Sequence, residues 1–117
     1  MTRQRVSHAA TAIASLMTER EWMAQVTQAA ELYGWTWVHF RPAQTSKGWR
    51  TPVSGPNGAG YFDLELVRDR IIYAELKRQD GRLDPSQKAV HDRYRAAGAD
   101  VRVWRPSDLP EVLEALR

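Results

Sequence analysis

Two short runs hold the residues most able to do chemistry: Tyr61-Phe62-Asp63-Leu64-Glu65-Leu66-Val67 and Ile71-Ile72-Tyr73-Ala74-Glu75-Leu76-Lys77. Both alternate apolar and polar side chains, the period of a strand with one buried face. In the first, Phe62, Leu64 and Leu66 fall on one face and Asp63 and Glu65 on the other. In the second, Ile72, Ala74 and Leu76 oppose Tyr73, Glu75 and Lys77. Glu75 and Lys77 therefore share a face, about 6.5 Å apart along the strand. Only Arg68, Asp69 and Arg70 separate the runs, which supports a hairpin that can bring Asp63 across from Glu75. Two carboxylates drawn together repel unless a cation lies between them. A hard ion such as Mg²⁺ or Mn²⁺ meets that need, because it takes oxygen ligands and keeps waters for a substrate phosphate. Lys77 could then orient or activate an attacking water and offset charge on phosphorus. The same four charged residues also suit a plainer role, the wet face of an amphipathic hairpin with ordinary surface ion pairs.

The surrounding chain reads as elements that could hold such a hairpin. Thr18 is a plausible N-cap with Glu19 and Glu21 in the first turn, and Trp22, Val26, Ala29, Ala30 and Tyr33 make one apolar helical stripe ending at Gly34. Residues 35–40 (WTWVHF) read as a strand. Residues 41–60, rich in Pro and Gly, read as a long loop, a kind of segment that is usually functional or mobile. After the hairpin, Asp84 can cap a helix that has Pro85 in its first turn and Gly98 beyond its end; a strand over 101–104 and a short helix ending near Leu116 follow. The order predicts an α/β architecture, a small mixed sheet flanked by helices, with a right-handed crossover joining the strands around 71–77 and 101–104. Residues 1–17 form an N-terminal extension with a possible short helix over 7–17; residues 18–117 form the domain.

Composition bounds the alternatives. The chain has 117 residues, 43% hydrophobic and 26% charged, enough for one self-sufficient globular domain. It lacks cysteine, so thiolate ligands and disulfides are out, and a zinc site is improbable. No apolar stretch approaches a membrane span, and a cytoplasmic location is expected. Basic residues number 17 against 14 acidic, most of them Arg, whose planar fork suits phosphate; a net charge of +3 specifies no partner by itself. Candidate DNA contacts are Arg41, Lys47, Trp49 and Arg50 in the long loop, and Arg78 and Arg82 after the second strand, where a solvated turn is the plain reading. Trp22, Trp35 and Trp37 suit the core, whereas Trp104 could either meet nucleic acid or cover the sheet's edge. His39 reads equally as a phosphate or metal partner and as a hydrogen-bonded, partly buried histidine, while His8 and His91 show no partner at useful spacing.

The succession Gly60, Phe62-Asp63, Glu75-Leu76-Lys77, Gly81-Arg82-Leu83-Asp84-Pro85-Ser86-Gln87, Ala97-Gly98-Ala99 and Val103-Trp104-Arg105-Pro106-Ser107-Asp108 resembles the VRR-NUC branch of the PD-(D/E)XK nucleases, in a short standalone form similar to those encoded by phages. The spacing of Glu19, Trp22, Gly34-Trp35 and His39 resembles the family's opening helix and strand, so the likeness runs over about residues 18 to 112. It implies a restriction-endonuclease-like core. It also implies Asp63 and Glu75 as metal ligands together with the carbonyl of Leu76, Lys77 as the catalytic lysine, Gln87 as an active-site residue, and Glu19 as an additional carboxylate. Glu19 has a plain alternative as a helix N-terminal charge, and Gln87 as a partner for backbone or water. Phe62 departs from the family's Pro before the Asp, and Met23 stands where relatives often carry Gln. The resemblance further implies cleavage of DNA, a preference for branched DNA such as four-way junctions, and a homodimer. The chief alternative is a non-catalytic nucleic-acid-binding domain.

Overall fold

In the computed structural model the described residues are 8–40, 43–45, 48–50 and 53–117. Helix α1 (His8–Leu16) and helix α2 (Glu19–Leu32) lead into strand β1 (Thr36–His39). Two short strands, β2 (Ala43–Thr45) and β3 (Gly48–Arg50), then form an antiparallel ladder of their own, so the stretch read as one long loop contains a small hairpin. The central hairpin is β4 (Leu64–Val67) and β5 (Ile71–Leu76), followed by α3 (Pro85–Ala96), β6 (Asp100–Trp104), a single 3-10 turn (Pro106–Asp108) and α4 (Leu109–Leu116). The main sheet has the order β1-β4-β5-β6, antiparallel except for the β5–β6 pair, which α3 connects as a parallel crossover. This is the expected α/β arrangement with a mixed sheet between helices. No helix among the described residues is long and apolar enough to cross a membrane.

Local chemistry sets the element ends. Thr18 and Glu21 form a reciprocal capping box, Thr18 Oγ1 accepting from the Glu21 amide and Glu21 Oε1 from the Thr18 amide, which satisfies two amide donors at the start of α2. Gly34, at φ +83°, lets the chain reverse out of α2 directly into β1. Trp22, Val26 and Ala30 lie one turn apart and are wholly buried against Leu64, Leu66, Ile72, Ala74 and Leu76. Trp104, Val112 and Leu116 complete this core from β6 and α4. The opposite face of the sheet is covered by α3, where Phe62, Val90 and Val101 are buried beside Tyr73 and Tyr94.

Two aromatic assignments from the sequence are corrected, and one that the sequence leaves open is decided. Phe62 does not follow the parity of Leu64 and Leu66: the chain bends at Asp63, before β4 begins, and delivers Phe62 to the α3 side, 5.0 Å from Tyr94. Trp104 is buried, so it cannot meet nucleic acid; its carbonyl accepts from Trp22 Nε1 at 2.9 Å and from the Lys77 amide at 3.0 Å. Trp37, on the edge strand β1, is 38% exposed rather than core, and its indole donates to Glu31.

The hairpin's turn is clamped to the helix ends. Arg68 donates to the carbonyls of Tyr33, Leu116 and Arg117, and its guanidinium lies 4.6 Å over the Trp35 ring. Trp35 in turn donates to the Leu116 carbonyl at 2.8 Å. Trp104 is, with Trp22, one of the two largest fully buried side chains of this core, so Trp104→Ala should cost about 3–5 kcal/mol; chemical denaturation of the two proteins measures it, and a loss below about 1 kcal/mol would contradict the packing described.

Candidate active site

The β4–β5 register pairs Leu64 with Ala74, so one residue further back Asp63 stands opposite Glu75. The ladder ends there, and Asp63 takes over with its side chain: Oδ2 accepts from the Leu76 amide at 3.0 Å. Its carbonyl accepts from the Phe40 amide at 2.9 Å, which ties the same residue to the end of β1. Asp63 is thus held by backbone on two sides, its position set by the sheet rather than by its own rotamer alone.

Glu75 lies within β5 on the α3 side and is only 1% exposed. Gln87 Nε2 donates to its Oε2 at 3.1 Å, and the Lys77 ammonium stands 3.7 Å from the same oxygen. Oε1 has no hydrogen-bond partner, and His91 Nε2 stands 3.8 Å from it. Burial, reinforced by a hydrogen bond to and the charge of Asp63, pushes the Glu75 carboxyl far above the usual carboxylate range; Lys77 opposes the shift and Glu19 adds to it. The charged form of Glu75 therefore lacks compensation from the chain alone.

Gln87 is the third residue of α3, and its amide serves two masters. Its Oε1 accepts from the Asp84 amide at 2.9 Å, as in a capping box, which leaves Nε2 as the atom turned to Glu75. The start of α3 is itself pressed by the turn before β4. Gly60 sits at φ +92°, and a Cβ there would lie 2.4 Å from the carbonyl of Ser86 and 2.6 Å from the Gln87 nitrogen, a space only glycine leaves open.

These residues line a polar cleft of about 240 Å³ together with Glu19, Phe40, Tyr61, Asp84 and Ser86. Of the residues singled out in the sequence, the fold brings Asp63, Glu75, Lys77, Gln87 and Glu19 to this one place, Glu19 from the exposed first turn of α2. Leu76 lies between the two strand residues with its side chain in the core. Arg78 and Arg82 are exposed on the loop after β5, Arg78 paired loosely with Asp80 at 3.7 Å. That loop is fastened to the chain after β6, where Arg105 donates to the Gly81 carbonyl and Gln79 exchanges hydrogen bonds with Ser107. Arg41 and Lys47 lie outside the described residues; Trp49 and Arg50 belong to β3, but their side chains lie outside them too.

Sequence reasoning missed His91, which is wholly buried and stacked on Phe62 with ring centroids 4.7 Å apart. Burial, then the charge of Arg95, holds its imidazole below the usual range, which favours the neutral form. A signal was present: His91 follows Gln87 by four residues on a helix, which puts both on one face.

The donor set fits a hard divalent cation. Asp63 and Glu75 offer only oxygen, and one of their carboxylates is buried and poorly compensated; among the described residues Glu19 does not complete with them a group of three side chains in ligating geometry. Such a thin set suits an ion that retains waters rather than one caged by protein. Among solved structures, the chain matches one named "VRR_NUC domain" with a TM-score of 0.55 at 24% identity, covering 84% of this chain and 97% of that one. No family model and no curated protein matches it. The fold is that of a VRR-NUC domain, and the cleft is built on its central hairpin.

Because Glu75 is buried beside a second carboxylate, Glu75→Gln should raise the metal-free stability by about 1 kcal/mol or more. Thermal melts in EDTA test this; a lower melting temperature for the variant would mean that the carboxylate is well compensated without a cation.

Proposed function

We propose that the protein hydrolyses phosphodiester bonds in DNA, using one Mg²⁺ or Mn²⁺ held by Asp63, Glu75 and the carbonyl of Leu76, with Glu19 as an additional carboxylate. The observation that carries this reading is the convergence of Asp63 with a buried Glu75 whose Oε2 lies 3.7 Å from the Lys77 ammonium. A mostly polar cleft with Asp63, Glu75 and the Lys77 amine on a VRR-NUC fold is suited to a phosphate and a water more than to a hydrophobic substrate.

When bound, the cation would lower the pKa of a water and draw off charge from the phosphate oxygens. Lys77, 13% exposed and fixed at its backbone by the Trp104 carbonyl, directs its ammonium into the cleft to orient the attacking water and stabilise the negative charge that grows on the non-bridging oxygens. Gln87 fixes the Glu75 carboxylate through Oε2, and the Leu76 amide fixes Asp63, so neither acid needs to reorganise as charge develops. Water releases a proton to solvent as it attacks phosphorus, the bond to the leaving oxygen breaks, and that oxygen takes a proton from solvent.

Arg78 and Arg82, exposed on the loop after β5, would meet DNA phosphates in this reading, and Arg41, Lys47, Trp49 and Arg50 are further candidates for the same role. No helix-turn-helix or zinc-finger signature accompanies the candidate site residues in this sequence, which favours recognition of DNA shape. The preferred substrate in this reading is branched DNA, including four-way junctions, bound by a homodimer that presents two clefts to two strands.

Labelled linear, flap and four-way DNA with Mg²⁺ or Mn²⁺ should be cleaved by the wild type and not in EDTA. Lys77→Ala and Asp63→Ala should each lose at least ~100-fold in rate while keeping the fold, in line with removal of one preorganised charge. Full activity of folded Lys77→Ala would remove the mechanism, whereas DNA binding without cleavage or cation affinity would favour a non-catalytic nucleic-acid-binding domain. Junction DNA should bind more tightly than linear duplex at matched salt; equal affinity would remove the preference for branched substrates.

A further inference from the structure

Four observations concern one buried imidazole. His91 is wholly buried and forms no wall of the cleft. Neither ring nitrogen has a hydrogen-bond partner. The ring is held flat against Phe62, with an interplanar angle of 16°. Finally, Nε2 faces, at 3.8 Å, the one carboxylate oxygen that also lacks a partner, Glu75 Oε1.

We propose that His91 is a positioning residue for Glu75, its Nε2–H held toward Oε1 so that α3 grips both oxygens of one carboxylate. The inference rests on the reading of Glu75 as a cation ligand and extends it to a residue outside the cleft. Gln87 and His91 are one helical turn apart, so a single face of α3 presents Gln87 Nε2 to Oε2 and His91 Nε2 to Oε1. A neutral imidazole has one N–H, and Nε2 is the nitrogen that faces the Glu75 carboxylate; the tautomer protonated there matches donor to acceptor. The present separation exceeds a hydrogen bond by less than ~1 Å, a gap that a small side-chain rotation of Glu75 closes. The Phe62 stack keeps the ring from turning away, so it is Glu75 that adjusts. A carboxylate gripped from behind on both oxygens keeps one rotamer, and the lone pairs left over are those directed to the cleft. Hydrogen bonds of this kind to a ligating side chain typically change metal affinity by roughly 10–100-fold.

Two measurements on the full chain test this, one of which needs no cation. Ring ¹⁵N shifts of His91 in the metal-free protein should report the Nε2-protonated tautomer and should move on Glu75→Ala; an Nδ1-protonated ring, or one indifferent to Glu75, overturns the proposal. Titration calorimetry with Mn²⁺ should show roughly 10–100-fold weaker binding for His91→Leu, which fills the space without a donor, and recovery to within a few-fold of wild type for His91→Gln, whose amide nitrogen reaches the position of Nε2. Wild-type affinity in His91→Leu, or equal losses in both variants, overturns it as well. Should the wild type bind no Mn²⁺, the cation reading of Glu75 has failed on its own account, and the ring shifts alone decide whether His91 holds the carboxylate.

Discussion

Burial of the Glu75 carboxylate inside so small a domain is the constraint to which the rest of this structure answers. Taking a charge out of water costs several kcal/mol even after the protein relaxes, and a second acid beside it raises that cost. The surroundings reduce the penalty only in part: one amide on Oε2, one ammonium at 3.7 Å, and an imidazole that stops short of Oε1. A domain of this size has a small stability margin, of the order of 5–15 kcal/mol, so such an arrangement stands out against the well-satisfied polar groups elsewhere. Among the described residues, the other buried side-chain polar atoms without a partner belong to His91, its neighbour.

The elements that give the domain its stability are the same ones that arrange the cleft. The Trp104 carbonyl receives the indole of Trp22 and the amide of Lys77, so the packing of α2 on the sheet and the placement of the lysine share one acceptor. Gln87 closes the first turn of α3 with its oxygen and holds Glu75 with its nitrogen. Neither group can be moved without disturbing a helix end or a strand end, and this coupling supplies the rigidity that preorganised charge requires.

The legible part of this site was the part governed by short-range periodicity. Alternation along 61–67 and 71–77, with three residues between, fixed both the pairing and the shared side of Asp63, Glu75 and Lys77, and capping chemistry marked the starts of α2 and α3 at Thr18 and Asp84. Motif spacing, rather than periodicity, pointed to Gln87 and Glu19. What escaped depended on facts that strand parity does not contain. Phe62 changes sides because the chain bends at Asp63; Trp104 is buried because Trp22 arrives from the other end of the sequence; His91 meets Glu75 only because α3 lies across β5 at a particular rotation. Each is a tertiary contact between elements distant in the chain.

The site's geometry is also set from its far end. In a two-stranded pairing, a slip of one residue turns every side chain to the opposite face, which here would put Asp63 across from an apolar neighbour and leave Glu75 without its partner acid. The turn at 68–70 is held against that slip by Arg68, which reaches the last carbonyls of α4 and the end of α2 while stacking on Trp35. These contacts lie at the opposite end of β4 and β5 from the carboxylates, and they touch nothing in the cleft. Their effect arrives through the ladder, Val67 with Ile71 through Leu64 with Ala74, whose continuation brings residue 63 to residue 75. The arginine clamp is therefore as much a part of the cleft's construction as the residues that line it, because it fixes which side chains the hairpin delivers there.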